Sequence, residues 1–86
     1  MATFVETTGT LTNTTVTLAA KHRNGLIIGN ASDTVMTYRI GGTASATAGL
    51  PIPAGTTAYL VGRDAPDQAV SIFCAGTSKA YTAYEW

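Results

Sequence analysis

Apolar and polar residues alternate in short runs along this chain, and Gly, Pro, Asn and Asp cut one run from the next. That is the grammar of half-buried β-strands. The first clear strand is expected over 15–20, with Val16, Leu18 and Ala20 pointing one way and the threonines between them the other. Asn24-Gly25 supplies a turn in which both residues tolerate positive φ. Leu26-Ile27-Ile28 is apolar throughout, so that strand is expected to be covered on both faces. A strand over 34–40 should put Met36, Tyr38 and Ile40 opposite Val35, Thr37 and Arg39. Further strands are expected over 56–61, with Tyr59 and Val61 opposite Ala58 and Leu60, and over 69–74, with Val70, Ile72 and Cys74 inward. The last runs over 79–86, with Tyr81 and Ala83 facing away from Tyr84 and Trp86.

Between these lie less regular stretches. Residues 43–48 hold only Thr, Ala and Ser, and read as a thin edge strand or a loop. Pro51 and Pro53 lack ladder donors, so 50–55 is not a central strand; Leu50 and Ile52 are expected to plug a core. Residues 62–68 form a polar loop. Residues 1–12 are expected as an N-terminal arm or edge strand, with 3–7 available to pair with a neighbouring subunit, and 13–86 as the folded domain. No stretch of helical length keeps a period near 3.6 without a Gly or Pro in it. About seven strands at this spacing predict an all-β fold, a single small antiparallel β-sandwich or barrel.

Size makes such a fold marginal. A chain of 86 residues holds one domain and buries roughly 60–65% of its unfolded surface. Small domains usually add disulfides, a metal or oligomerisation. Cys74 is the only cysteine and His22 the only histidine, which removes an internal disulfide and a four-ligand zinc site. Oligomerisation, or docking on a larger surface, is left. Charge points the same way: charged residues make up 12% of the chain, against roughly 25% in an average soluble domain. Zero net charge disfavours bulk nucleic-acid binding, which needs Lys and Arg to neutralise phosphates. The cluster Lys21-His22-Arg23 reads as a solvated turn.

The first residues lack the basic and apolar regions of a secretory leader, and no apolar run has the length of a membrane helix, so a reducing cytoplasm is the expected folding compartment. Asn13-Thr14-Thr15 and Asn30-Ala31-Ser32 match the glycosylation triplet, but without secretion they are read as coincidence.

No catalytic constellation emerges. His22 stands between two cations, and although Asp33 or Asp64 are available as partners, no strand–elbow–helix context supports a triad. Asp64 and Asp67 flank Ala65-Pro66, too few oxygens for an all-protein calcium site. Cys74 faces inward, where burial raises a thiol's pKa. Gly41, Gly42 and Gly49 are followed by no Gly-Lys-Ser or Gly-Lys-Thr. The reading is therefore a non-enzyme without cofactors or metals. Aromatic residues are the remaining signal. Tyr84 and Trp86 share a face, where rings stack on sugars, anchor protein interfaces or close a core. Tyr84, Trp86, Phe4 and Arg39 are the expected interface residues.

One set of motifs bears on identity. Lys21-His22-Arg23-Asn24-Gly25-Leu26-Ile27-Ile28-Gly29-Asn30, then the run from Tyr38-Arg39-Ile40-Gly41-Gly42 through Ala46-Thr47-Ala48-Gly49-Leu50-Pro51-Ile52-Pro53-Ala54-Gly55, then Ala69-Val70-Ser71-Ile72-Phe73-Cys74-Ala75-Gly76, and the aromatic-acidic pair Tyr84-Glu85 follow in order. In order and spacing they resemble small β-rich structural proteins of tailed bacteriophages, over residues 21–86. The prolines around Ile52 and the terminal Trp86 depart from that pattern. The resemblance implies a virion protein assembled in the bacterial cytoplasm. The expected function is a capsid decoration (cement) protein, a homo-oligomer, most readily a homotrimer, bridging major capsid subunits, with no nucleic-acid or membrane partner. The alternative it leaves open is a tail, fibre or baseplate component that recognises a host glycan. It carries over no catalytic residue.

Overall fold

The computed structural model describes residues 3–86; the first two residues of the expected N-terminal arm lie outside the described residues. Among the described residues the chain forms eight strands: β1 (Val5–Leu11), β2 (Thr14–Leu18), β3 (Gly25–Asn30), β4 (Met36–Ile40), β5 (Leu50–Ile52), β6 (Thr57–Val61), β7 (Val70–Cys74) and β8 (Lys79–Glu85). A 3₁₀ turn at Gly62–Asp64 follows β6. All strand pairs are antiparallel, and they build two four-stranded sheets, β1-β8-β3-β6 and β2-β7-β4-β5. First pairs with last, second with seventh, third with sixth and fourth with fifth. That nesting is one long hairpin rolled over itself, a jelly roll. The all-β sandwich expected from the alternation is thus what forms.

Strand phase explains the core. Leu26 and Ile28 of β3, Met36 of β4, Val70, Ile72 and Cys74 of β7 and Ala83 of β8 are fully buried between the sheets. Period 2 places each of them on an inner face; for β7 this is the predicted phase, whereas β3, expected to be covered on both faces, is covered on one, with Ile27 only partly buried on the open outer face. Val16, Ala58 and Leu60 pack against this cluster from nearer the rim.

Of the two readings of residues 1–12, arm or edge strand, the edge strand is what forms, within the chain's own sheet, so the folded domain includes β1 and does not start at residue 13. β1 pairs with β8 along its whole length, from Val5 opposite Glu85 to Leu11 opposite Lys79, so the segment is an edge strand of its own domain. The strand count is eight instead of about seven, because the short β5 pairs with β4 despite Pro51; as an edge strand it tolerates a missing donor. Of the two readings of residues 43–48, thin edge strand or loop, the loop is the one that forms. These residues fold back over the outer face of the second sheet, where Ala44 N–H donates to Ser71 Oγ at 3.0 Å. Gly49 makes that return possible: its φ is +127°, and a Cβ there would press on the Tyr38 carbonyl.

The expected pair of plugs needs correction. Ile52 is 1% exposed, but Leu50 is 59% exposed. Both share the inward phase, yet Leu50 pairs with Tyr38 at the open end of an edge strand and reaches past the rim. Ile52→Ala should therefore cost about 2–5 kcal/mol, while Leu50→Ala should stay within about 0.5 kcal/mol of the parent. Urea titration of the two variants checks the contrast.

Candidate functional site

The outer face of the β1-β8-β3-β6 sheet carries the largest set of exposed rings. Its residues fall into rows set by the ladder register. Glu6, Tyr84, Ile27 and Tyr59 form one row across the four strands. The next row toward the rim holds Trp86, Gly25 and Val61, with Phe4 beyond the start of β1. The row on the other side holds Thr8, Thr82, Gly29 and Thr57. One half of the face is aromatic and apolar, and the other is hydroxyl-bearing.

In the aromatic half, Phe4 stacks on Trp86 with ring centroids 4.9 Å apart and meets Tyr84 edge-on at 6.4 Å. The Trp86 ring covers Gly25 of β3. A Cβ on Gly25 would run into it, so Gly25 is the residue that lets the indole settle. Trp86 N–H and C=O also exchange bonds with Gly25, which prolongs the β8–β3 ladder beyond the strand. Tyr84 O–H donates to Glu6 Oε2. That hydrogen bond, then the carboxylate's charge, holds the Tyr84 hydroxyl above the usual tyrosine pKa. Phe4 remains 57% exposed and Tyr59 67% exposed, with Val61 and Tyr84 also open to solvent.

Three of the four expected interface residues, Phe4, Tyr84 and Trp86, therefore come together. Arg39 does not join them. It lies on the outer face of the other sheet, along the turn at Gly42, with Nη1 donating to the Thr43 carbonyl at 3.4 Å. Ile27, Tyr59 and Val61 were not singled out from the sequence, although the even spacing of Tyr59 and Val61 already put them on one face of β6.

Gly29 opens the hydroxyl half. With no side chain between Thr57 and Thr82, a shallow groove of about 250 Å³ runs along β3 toward Thr56 and Gly55. A Cβ at Gly29 would make only ordinary contacts, so the fold itself does not require glycine here.

The polar clusters are structural. Arg23, expected in a solvated turn, is 3% exposed. Its Nε and Nη2 both reach Glu85 Oε2, at 2.9 and 2.8 Å. Nη1 donates to the carbonyls of Pro66 and Gln68, and Nη2 to that of Ala19. All five guanidinium N–H groups are thus used, and they tie together the end of β8 and the segments after β2 and before β7. Lys21 approaches the other Glu85 oxygen at 3.6 Å. Asn30 is similarly committed: its amide nitrogen donates to the Thr34 and Ile52 carbonyls and its oxygen accepts from Ser32. That amide is the atom a glycan would need.

His22 Nδ1 lies 3.4 Å from Asp67 Oδ1, with both side chains largely in solvent. Asp33 and Lys79 pair at 2.6 Å, and that hydrogen bond lowers the Asp33 pKa. Burial pushes the Cys74 thiol up, against a nucleophilic role. Among the described residues no group of three or more His, Cys, Asp or Glu side chains converges on a common point, and no helix is long and apolar enough to cross a membrane.

No protein-family model matches the sequence, and no characterised protein matches it. The likeness to phage structural proteins rests on the order of the sequence motifs alone.

Proposed function

We propose that this chain is a structural protein of a tailed-phage particle, a capsid decoration module that lays the aromatic half of its outer sheet against major capsid subunits. The observation that carries this reading is the cluster of Phe4, Trp86 and Tyr84, continuous with Ile27, Tyr59 and Val61 on one rigid sheet. Contiguous exposed apolar surface of this kind marks a contact site, and Trp and Tyr are the commonest interface anchors. A pre-formed β-sandwich loses little ordering entropy on docking. Low charge, with 12% charged residues, suits a surface that meets protein. Each copy adds buried area between capsid subunits, so a modest gain per site multiplies over the shell.

Phe4→Ala is the cleaner test, since Phe4 is mostly exposed. Its melting and circular dichroism should match the parent. Docking on purified capsids should weaken about 30-fold or more, the equivalent of the roughly 2 kcal/mol of a hot-spot residue. Unchanged docking by both Phe4→Ala and Trp86→Ala would sink the assignment of this face. Quantitative mass spectrometry of particles tests the station: a decoration protein is present in hundreds of copies.

A second reading has one observation in its favour. The groove at Gly29 places the Thr57 and Thr82 hydroxyls beside the exposed Tyr59 and Tyr84 rings. Hydroxyl partners next to an aromatic platform suit a saccharide, as in a tail or fibre component that recognises a host glycan. A few copies per particle, with glycan binding lost in Gly29→Val, would favour it.

A further inference from the structure

We infer that two copies of this chain pair through the free edge of β6, across a two-fold axis centred on Tyr59, to make one continuous eight-stranded sheet. The argument starts from the ladder. Asn30 N–H donates to the Thr56 carbonyl, and Gly62 N–H to the Asn24 carbonyl, both at 2.9 Å. In an antiparallel pair the backbone groups alternate sides along the strand. Ala58 and Leu60 therefore turn their N–H and C=O toward β3. Thr57, Tyr59 and Val61 turn theirs away, to an edge that no strand covers among the described residues.

Natural edges are blunted by charge, proline or shortness. β5 has three residues and Pro51. β1 carries Glu6. β2 is as long as β6 and also free of charge and proline, but it presents only threonines, Thr15 and Thr17, on its outer face, with no exposed apolar side chain to bury against a partner. β6 has none of these protections: Thr57-Ala58-Tyr59-Leu60-Val61 is uncharged, free of proline and glycine, and exposes Tyr59 and Val61.

The partner this edge fits is a second copy, because the strand is complementary to itself. A two-fold at Tyr59 sets Tyr59 opposite Tyr59 of the partner subunit, and Thr57 opposite Val61 of the partner subunit. Each of these pairs exchanges two backbone hydrogen bonds, so all three outward residues are satisfied on both chains. On the side facing the sandwich interior, Ala58 meets Leu60 of the partner subunit. Beyond the strand, Arg63 falls opposite Gly55 of the partner subunit, so no like charges meet. The apolar row Tyr84, Ile27, Tyr59 then continues across the axis, while the row of Trp86, Gly25 and Val61 runs on into the threonine row of the partner subunit, so the two aromatic clusters lie diagonally across the joined sheet. Such an isologous contact closes at two subunits, in place of the threefold expected from the sequence.

Sedimentation at micromolar concentration should give twice the 8.8 kDa chain mass. Amide hydrogen exchange should protect Thr57, Tyr59 and Val61 as strongly as Ala58 and Leu60. Tyr59→Lys and Tyr59→Glu each place like charges directly across the axis, on a side chain that is mostly solvated in the single chain. Both variants should be folded monomers by circular dichroism. An equimolar mixture of the two should recover the dimer, because the charges are then opposite. A monomeric parent overturns the inference, and so does a trimer. A dimer whose Thr57, Tyr59 and Val61 amides exchange as fast as loop amides, or in which the charge variants fail to complement, overturns it as well.

Discussion

Arg23→Ala should destabilise the fold by about 3–5 kcal/mol, the cost of leaving one member of a buried ion pair without its partner. For a domain whose whole stability is about 5 kcal/mol, that leaves little or no folded protein. The geometry gives the reason. Removing the guanidinium strands the Glu85 carboxylate, which is 4% exposed, and three carbonyls, those of Ala19, Pro66 and Gln68. Lys21, at 3.6 Å from Glu85, offers only a partial substitute and serves none of the carbonyls. Arg23→Lys should also fail, because one ammonium with three donors cannot span a carboxylate and three separate carbonyls. The double variant Arg23→Met with Glu85→Leu should recover the part of the loss that comes from the stranded carboxylate, since a packed apolar pair carries no charge to desolvate, and leave the part that comes from the three carbonyls. Urea titration of the singles and the double closes the cycle. A single Arg23→Ala within about 0.5 kcal/mol of the parent, the range of ordinary surface substitutions, would return Arg23 to the solvated turn that the cluster Lys21-His22-Arg23 predicts from sequence.

That cluster misleads because its neighbours in sequence are not its neighbours in space. A signal was nevertheless present in β8. Tyr81 and Ala83 face inward, so period 2 puts Glu85 inward too, and a carboxylate on a core face demands a cation. The chain has only five Lys and Arg residues in all. Sequence alone does not say which of them answers, since Arg23 and Glu85 meet only through the β3–β8 pairing.

The same limit governs the edges of the fold. β3, β4, β6, β7 and β8 were legible because each alternates apolar with polar residues or runs apolar throughout. β1 was not: Leu11 is its one buried residue, and the rest is mostly Thr, Glu and Gly. What fixes β1 is its ladder to β8, between segments at opposite ends of the chain. The candidate site inherits that difficulty. Phe4 and Trp86 are individually recognisable as large rings, but their stacking follows only once the first and last strands are neighbours. Arg39 shows the converse. Its phase on β4, opposite Met36 and Tyr38, was read correctly, yet phase does not tell which of two sheets a strand joins.

Ile72→Ala should cost about 2–5 kcal/mol and abolish folding of the isolated domain. Ile72 is fully buried on β7, a central strand, between Val16 of β2 and Tyr38 of β4. Burial alone would not assign its direction, because Val70, Ser71 and Ile72 are buried in succession. Two different covers produce that run. Val70 and Ile72 face the other sheet, whereas Ser71 faces outward and lies under the return of residues 41–49, where its hydroxyl accepts from Ala44 N–H. Phe73, on the same outer face, is only partly buried. Phe73→Ala should therefore cost less than Ile72→Ala, although it removes the larger side chain. Thermal and urea melts of the two variants give the order directly. If Ile72→Ala melts like the parent while Phe73→Ala unfolds, the register of β7 is displaced by one residue, and every inward assignment on that strand is reversed.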